Sequence, residues 1–267
     1  MLQPKSILIT GASSGIGAAL AEEYAESGVT LFLGGRNKER LEQVAEQCRS
    51  KGATAHISPV DVMDKVTMSS WIGWAHNTAP LDLVIANAGI SAGTGGDGES
   101  EQQTRSILAV NIEGVINTIY PALDAIRRRR LSPEDQNDKS KLKGQIAIMS
   151  SLAGMRGFPG APAYCASKAA VKSLGESWRG MLMREKIGVT VICPGYVKTP
   201  MTDVNNFFMP LLMPASRAAQ IIRNGLSKNR PRIAFPFFTY FMTWFLMVMP
   251  PRLFDRMLAN LPEKPSQ

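Results

Sequence analysis

Cysteine is scarce in this 267-residue chain. The three that occur, Cys48, Cys165 and Cys193, are far apart and odd in number. They form no disulfide framework and have no metal-ligand spacing, so no metal is expected and a reducing compartment fits. A Pro-, Gly- or Ser-rich linker is also missing, which favours one α/β domain over two small ones. The start, Met1-Leu2-Gln3-Pro4-Lys5, leads almost at once into an apolar run, so no signal or transit peptide is expected. Negative charge is in deficit: 22 acidic residues stand against 30 basic ones, a net charge of +8. Such an excess suits nucleic acid, an anionic membrane surface or an anionic cofactor. The densest basic cluster, Arg127-Arg128-Arg129-Arg130, ends an expected helix, where cations complement the dipole. No aromatic residues interleave with it, so nucleic acid is not expected as a partner.

What is present is alternation. Strands are expected at 6–10, 29–33, 55–60, 81–86, 145–150 and 189–193, with a short seventh near 230–236. Helices are expected from 15 to about 27 and at 37–51, 65–78, 104–130 and 163–186. A glycine-rich stretch, 93–98, reads as a flexible loop, and the polar stretch 132–141 as an exposed insertion. Strands alternating with helices imply a doubly wound parallel sheet covered on both faces. Ligands of such sheets sit beyond the carboxyl ends of the strands.

The first such end carries Thr10-Gly11-Ala12-Ser13-Ser14-Gly15-Ile16-Gly17 between a strand and a helix. Glycines there let a pyrophosphate approach the backbone without meeting a Cβ atom. The helix N-terminus adds free N–H groups and partial positive charge. The second strand ends Gly34-Gly35-Arg36-Asn37 and offers no carboxylate to grip ribose hydroxyls. It offers Arg36, whose guanidinium can pair with a 2′-phosphate, and Ser13 can add a donor. NADP(H) is therefore the expected cofactor. Further on, Tyr164 and Lys168 are four apart in an expected helix and share one face. An ammonium near a phenol lowers its pKa and fits it to move a proton on an alcohol or ketone oxygen.

Taken together, Thr10 to Gly17, Asp61-Val62, Asn87-Ala88-Gly89, Asn111, Ser150-Ser151, Tyr164 to Lys168 and Pro194-Gly195 through Thr199 carry a resemblance. The chain resembles the classical short-chain dehydrogenases/reductases from residue 6 to about 200. The resemblance implies a Rossmann-type sheet of about seven strands and interconversion of a ketone and a secondary alcohol. It implies Tyr164 as general acid/base and Lys168 as the group that tunes it and holds the nicotinamide ribose. Ser151, thirteen positions before the tyrosine, would bond the substrate oxygen in preference to Ser150. Asn111 would hold a water linking the lysine to solvent. Gly11, Ser13, Ser14, Gly15, Ile16 and Gly17 would cradle the phosphates. Asp61 and Val62 would contact adenine, and Asn87, Ala88 and Gly89 would line the cofactor cleft. Pro194, Gly195, Val197 and Thr199 would hold the nicotinamide. A homodimer through helices 104–130 and 163–186 is expected by the same resemblance. A non-catalytic NADP(H)-sensing module and a membrane-associated binding module are the alternatives.

The end of the chain departs from the family pattern. No charge appears between Arg232 and Arg252, and the run includes Phe237-Phe238-Thr239-Tyr240-Phe241 and Trp244-Phe245-Leu246-Met247. Pro236 and Pro250-Pro251 bound it to a helix of roughly 13 residues, too short to span a bilayer. The expected organisation is a Rossmann-fold catalytic domain, 1–236, and an apolar extension, 237–267. The extension reads as a lid, a dimer interface or a contact with a membrane surface, and these stay open. Arg223, Lys228, Arg230, Arg232, Arg252 and Arg256 flank it, as anionic lipid would want. The stretch 207–213 is also apolar; the resemblance implies that this region covers the substrate, and its Met and Phe side chains suit an apolar, lipid- or steroid-like one. The expected location is cytoplasmic, with peripheral contact at the inner face of a membrane as the further option.

Overall fold

Strand and helix alternate along the chain as the pattern predicts. The structure, a computed structural model, describes residues 3–92, 98–129 and 141–258, with side chains through Phe254. The first half runs β1 (Ser6–Thr10), α1 (Gly15–Tyr24), β2 (Thr30–Gly35), α2 (Lys38–Ser50), β3 (Thr54–Pro59), α3 (Lys65–Thr78) and β4 (Leu83–Ala86). Then come α4 (Glu101–Leu108), a π-turn (Ala109–Glu113), α5 (Gly114–Arg128), β5 (Gly144–Met149), α6 (Pro162–Leu182) and β6 (Ile187–Pro194). The chain continues through β7 (Val197–Lys198), α7 (Pro200–Asp203), β8 (Met213–Pro214), α8 (Ala215–Ser227) and β9 (Arg232–Phe235). It reaches α9 (Phe237–Val248) and α10 (Pro251–Leu258). Of the glycine loop and the polar insertion, 93–97 and 132–140 lie outside the described residues, as do Arg130 and 259–267.

One seven-stranded sheet has the order β3-β2-β1-β4-β5-β6-β9, with every pair parallel. The order turns back between β1 and β4, so a crevice opens there at the carboxyl ends. Alternate residues of each central strand feed opposite cores. Ile7, Ile9, Leu31 and Leu33 pack with Leu20, Leu41, Val44 and Ile222 of α1, α2 and α8. Leu8, Phe32 and Val84 pack on the other side with Met68, Trp71 and Ile72 of α3. A strand buried on both faces must be apolar throughout, and β1 and β4 are buried at every residue. Each such side chain stabilises the fold by about 1.5–3 kcal/mol relative to its exposed state.

Helix starts follow their caps. Asn37 Oδ1 accepts from Arg40 N (2.8 Å), and Asp64 Oδ1 accepts from Val66 N (3.1 Å) and Thr67 N (3.0 Å). Each cap is worth about 1 kcal/mol. Four differences from expectation have physical causes. β2 extends to Gly35 because Gly34 packs bare against the Trp71 ring, where a Cβ would lie 2.4 Å from Cη2. The helix expected from 104 begins at Glu101, capped by Ser100 Oγ on Gln103 N (3.1 Å). The helix expected to reach 186 ends at Leu182, and the chain turns through Lys186 at φ 58°. Finally, α8 starts after Pro214 with no side-chain cap, so no start signal marks it in the sequence.

The run from Glu101 to Arg128 is long and apolar enough to cross a membrane by length and composition alone. It is instead a core helix: Val115, Ile119, Ala122 and Ile126 are buried. Its basic end is partly committed. Arg127 bonds Glu185 (2.7 and 3.0 Å), and Arg129 bonds Asp82 (2.5 Å).

Candidate active site

The crevice is a cleft of about 390 Å³. Every residue to which the resemblance gives a catalytic or cofactor role lines it except Gly17 and Asn111, which sit directly behind its wall. At the loop end, Gly11 and Gly15 have φ of 66° and 57°, conformations that favour glycine. A Cβ on Gly17 would lie 2.2 Å from the Gly11 carbonyl oxygen and 2.6 Å from Asn87 Nδ2. Gly17 therefore lets α1 butt against the loop. Thr10 Oγ1 accepts from Asn87 N (3.1 Å) and Ala88 N (3.2 Å), and Asn87 Nδ2 donates to Thr10 O (2.9 Å). These bonds lock the ends of β1 and β4 together at the switch point. Ser14 makes no cap bond, so the first turn of α1 meets the cleft without a side-chain acceptor. That is a seat for an anion.

At the end of β2, Arg36 is exposed and lines the cleft beside Ser13. Arg40, one helical turn further, lines it too and was not anticipated. The signal was its place in the first turn of the helix that follows β2, which starts at the cleft rim behind the Asn37 cap. Among the described residues neither forms an ion pair. Asp61 lies at the end of β3, where its Oδ1 accepts from Met63 N (2.9 Å).

The other end of the cleft is more enclosed, with Ser151 and Lys168 buried and Tyr164 half-buried. Lys168 is buried, and its Nζ donates to Met149 O at the end of β5 (2.9 Å). A Cβ on Gly89 would approach that Nζ to 3.3 Å, so the glycine leaves the ammonium open to the cleft. Ser151 Oγ accepts from Ala153 N (3.1 Å) and donates weakly to Pro194 O (3.4 Å). Ser150 Oγ is turned away and donates to Lys168 O (2.7 Å), pinning α6 to the strand. The two serines therefore do different work. Asn111 is fully buried in the π-turn. Its Oδ1 accepts from Ile90 N (2.8 Å), and its Nδ2 donates to Ile90 O (2.9 Å) and Ser167 Oγ (2.9 Å). Its amide fixes the wall of the cleft to α6.

Burial pushes the Tyr164 phenol up to about 12, with a hydrogen bond to Ser151 opposing. Burial also pulls Lys168 down to about 8. The sequence reading expects the ammonium to lower the phenol. Nζ instead sits 5.6 Å from the ring centroid, and desolvation dominates. Over the cleft, Pro200, Met201 and Thr202 form the near wall. The expected cover, 207–213, lies elsewhere: Phe207 packs on Tyr196, while Phe208, Leu211 and Leu212 are exposed. Of the cations expected at a lipid surface, Arg223 pairs with Glu23 and Glu26, and Arg232 with Glu176.

A glycine loop at the switch point of a doubly wound sheet defines a nucleotide-binding α/β protein. The family model for short chain dehydrogenase matches residues 5–207. The chain belongs to the short-chain dehydrogenase/reductase family, whose members are oxidoreductases acting on CH–OH groups with a nicotinamide cofactor. An uncharacterized oxidoreductase of Myxococcus xanthus is 32% identical over 258 residues, 96% of this chain and 97% of that one. A 3-oxoacyl-(acyl-carrier-protein) reductase of Thermotoga maritima is 29% identical over 205 residues, 76% of this chain and 78% of that one. Among solved structures, a short-chain dehydrogenase of Mycobacterium paratuberculosis bound to NAD aligns with a TM-score of 0.71 at 23% identity. It covers 85% of this chain and 93% of that one, and at that identity it supports the fold alone.

Proposed function

We propose that the protein is an NADP(H)-dependent reductase of an apolar, lipid- or steroid-like ketone, working reversibly on the matching secondary alcohol. One observation carries the reading. The glycine loop, two arginines with no ion pair among the described residues, and the Ser151–Tyr164–Lys168 group line one cleft. Gly11 and Gly15, both at positive φ, would line the path of a pyrophosphate, Gly17 seats α1 against the loop, and the α1 N-terminus faces the cleft. Arg36, Arg40 and Ser13 would hold a 2′-phosphate, and no carboxylate stands at the end of β2 to repel it. Asp61 and Val62 would flank the adenine; Asn87, Ala88, Gly89, Pro194, Gly195, Val197 and Thr199 would line the rest of the cofactor's path. When bound, the nicotinamide supplies or accepts the hydride.

This chain's residues manage the oxygen. Tyr164, pushed up to about 12, holds the proton that ketone reduction consumes. Ser151 exchanges its long bond to Pro194 O for one to the substrate oxygen and steadies the charge that develops there. Lys168 has one N–H bond to Met149 O, leaving two for a ribose. Asn111 anchors the π-turn that keeps Ile90 and α6 in register, beside the water expected to link Lys168 to solvent. A homodimer is proposed through α5 and α6, whose surfaces expose Tyr120 and Met181.

The test follows NADPH and NADH absorbance against a panel of long-chain and polycyclic ketones. Turnover with NADPH preferred is expected. Preference for NADH would reject the cofactor assignment. Tight NADPH binding with no turnover across the panel would favour a sensing module.

A further inference from the structure

Helix α9 is built inside out. A surface helix turns its polar residues to water and its apolar stripe to the core. Here Thr243, 9% exposed, is the buried residue of α9, and its Oγ1 turns back on Thr239 O (2.9 Å) and Tyr240 O (3.0 Å). Thr239 Oγ1 is also buried. Tyr240 packs inward against Leu152 and Met155, and its hydroxyl accepts from Arg232 (3.2 Å). Outward stand Phe237 (79% exposed), Phe238, Phe241 (51%), Trp244 (44%), Phe245 and Val248. Exposed Met242 and Met247 border them. At about 100° per residue the six outward residues sweep roughly 120° of the helix, and roughly 160° with Met242.

That arc is as wide as the roughly 100° apolar stripe a surface helix ordinarily turns to its core, and here it faces solvent. A fluid apolar medium covers it without a matched groove. Charge agrees: from Arg230 to Phe254 the chain has no acidic residue. At the far end of α9, Arg156 donates to Met247 O (3.2 Å) and stacks over Phe254, and Arg252 is exposed beside them. With twelve residues the helix is about 18 Å long, short of the roughly 30 Å hydrocarbon layer, so it lies flat. Its position ties it to the cleft. Gly195, in the cleft wall, abuts Pro236 at the start of α9, and Leu152, next to Ser151, packs under Tyr240. Tyr196, next to Gly195, carries Phe207, where the second exposed apolar stretch begins.

We propose that α9 docks the protein on an anionic bilayer. Its outward face lies at the headgroup–acyl boundary and holds the cleft beside the lipid, from which the apolar ketone or alcohol is drawn. The last clause rests on the reductase reading; the docking does not.

The experiment floats the full-length protein with vesicles of phosphatidylglycerol and phosphatidylcholine in equal parts, and with phosphatidylcholine alone. Wild type is expected to float with the anionic vesicles, less so at high salt. Phe241→Asp/Phe245→Asp should float at least about tenfold less, with its melting temperature and NADPH affinity kept. Phe241→Leu/Phe245→Leu should float like wild type. Turnover separates the two readings. The Asp variant should keep wild-type activity on a short water-soluble ketone and lose at least about tenfold on a ketone delivered in vesicles. Wild type left at the bottom of the gradient overturns docking, whatever the activity. If it also sediments as a dimer that the Asp variant breaks, α9 is a contact between two copies. Flotation without turnover of any ketone leaves docking standing and removes the reductase reading.

Discussion

The two ends of the cleft are made of different material. The glycine end is backbone and exposed cation: Gly11 and Gly15 at positive φ, Gly17 against a carbonyl, Arg36 and Arg40 in solvent. The tyrosine end is side chain, half-buried at Tyr164 and buried at Lys168 and Ser151: Lys168 is held by Met149 O, Ser151 by Pro194 O, and α6 by Ser150. Perturbed titrations gather at the second end, on Tyr164 and Lys168. The contrast follows from the tasks. Seating a charged group needs donors at a rim that water also reaches. Moving a proton needs a dry place where a phenol's affinity for it can be set. Each end should therefore break in its own way.

The largest effect belongs to the tyrosine end. Tyr164→Phe removes one oxygen and little volume. It should lower kcat about 10²–10⁴-fold and leave NADPH affinity within about twofold, read by steady-state turnover beside fluorescence titration. Full turnover in the variant would end the proposed role of the phenol. Ser151→Ala should cost more turnover than Ser150→Ala, because Ser150 is spent on Lys168 O.

The glycine end should break through its backbone. Gly17→Ala puts a methyl 2.2 Å from the Gly11 carbonyl oxygen, and neither α1 nor the loop has room. Overpacking of this kind costs about 1–3 kcal/mol, or a fall of roughly 4–8 °C in Tm for a cost near 2 kcal/mol. NADPH affinity should fall as well. A variant with unchanged Tm would mean that α1 can slide. Arg36→Asp tests the cation instead. A charge-assisted hydrogen bond is worth about 1.5–3 kcal/mol, so NADPH affinity should drop at least about tenfold with Tm unchanged and NADH little affected. Retained NADPH preference would shift the phosphate seat to Arg40.

The sequence made the glycine end legible because its signals are local. A strand, a spaced set of glycines and a helix start lie within twelve residues, from Ser6 to Gly17. The same locality fixes β1 and α3 at their expected bounds, Ser6–Thr10 and Lys65–Thr78, the latter behind the Asp64 cap. The tyrosine end was legible as a resemblance, but its electrostatics were not. Whether an ammonium or burial governs a phenol depends on a distance and a desolvation that no spacing of four encodes. The π-turn around Asn111 was hidden for a like reason: its cause is the pairing of Asn111 with Ile90 and Ser167, far apart in sequence. The apolar character of 237–249 was plain, but that α9 turns its threonines inward was not, since Thr239 and Thr243 read as ordinary helix positions.

The smallest expected effect joins the two ends. Lys168 has its ordinary value lowered to about 8 by burial, while an unfolded lysine stays near 10.5. Below about pH 8 the folded protein carries an ammonium there, and above it a neutral amine. The amine still donates a hydrogen bond but no longer attracts an anion or assists that bond by charge. NADPH affinity should therefore weaken as pH rises from 7 to 9 by about 1 kcal/mol, roughly fivefold, and Lys168→Met should show a flat profile across that interval. Stability moves the other way. Between about pH 8 and 10.5 the unfolded chain binds the proton that the folded lysine has lost, so this group alone makes folding more favourable as pH rises. Lys168→Met should remove that slope too. Affinity and Tm measured on both proteins at pH 7, 8 and 9 give two opposite trends that share one origin. A wild-type affinity that is flat to pH 9 would place the ammonium out of reach of the cofactor and return the ribose contact to the glycine end.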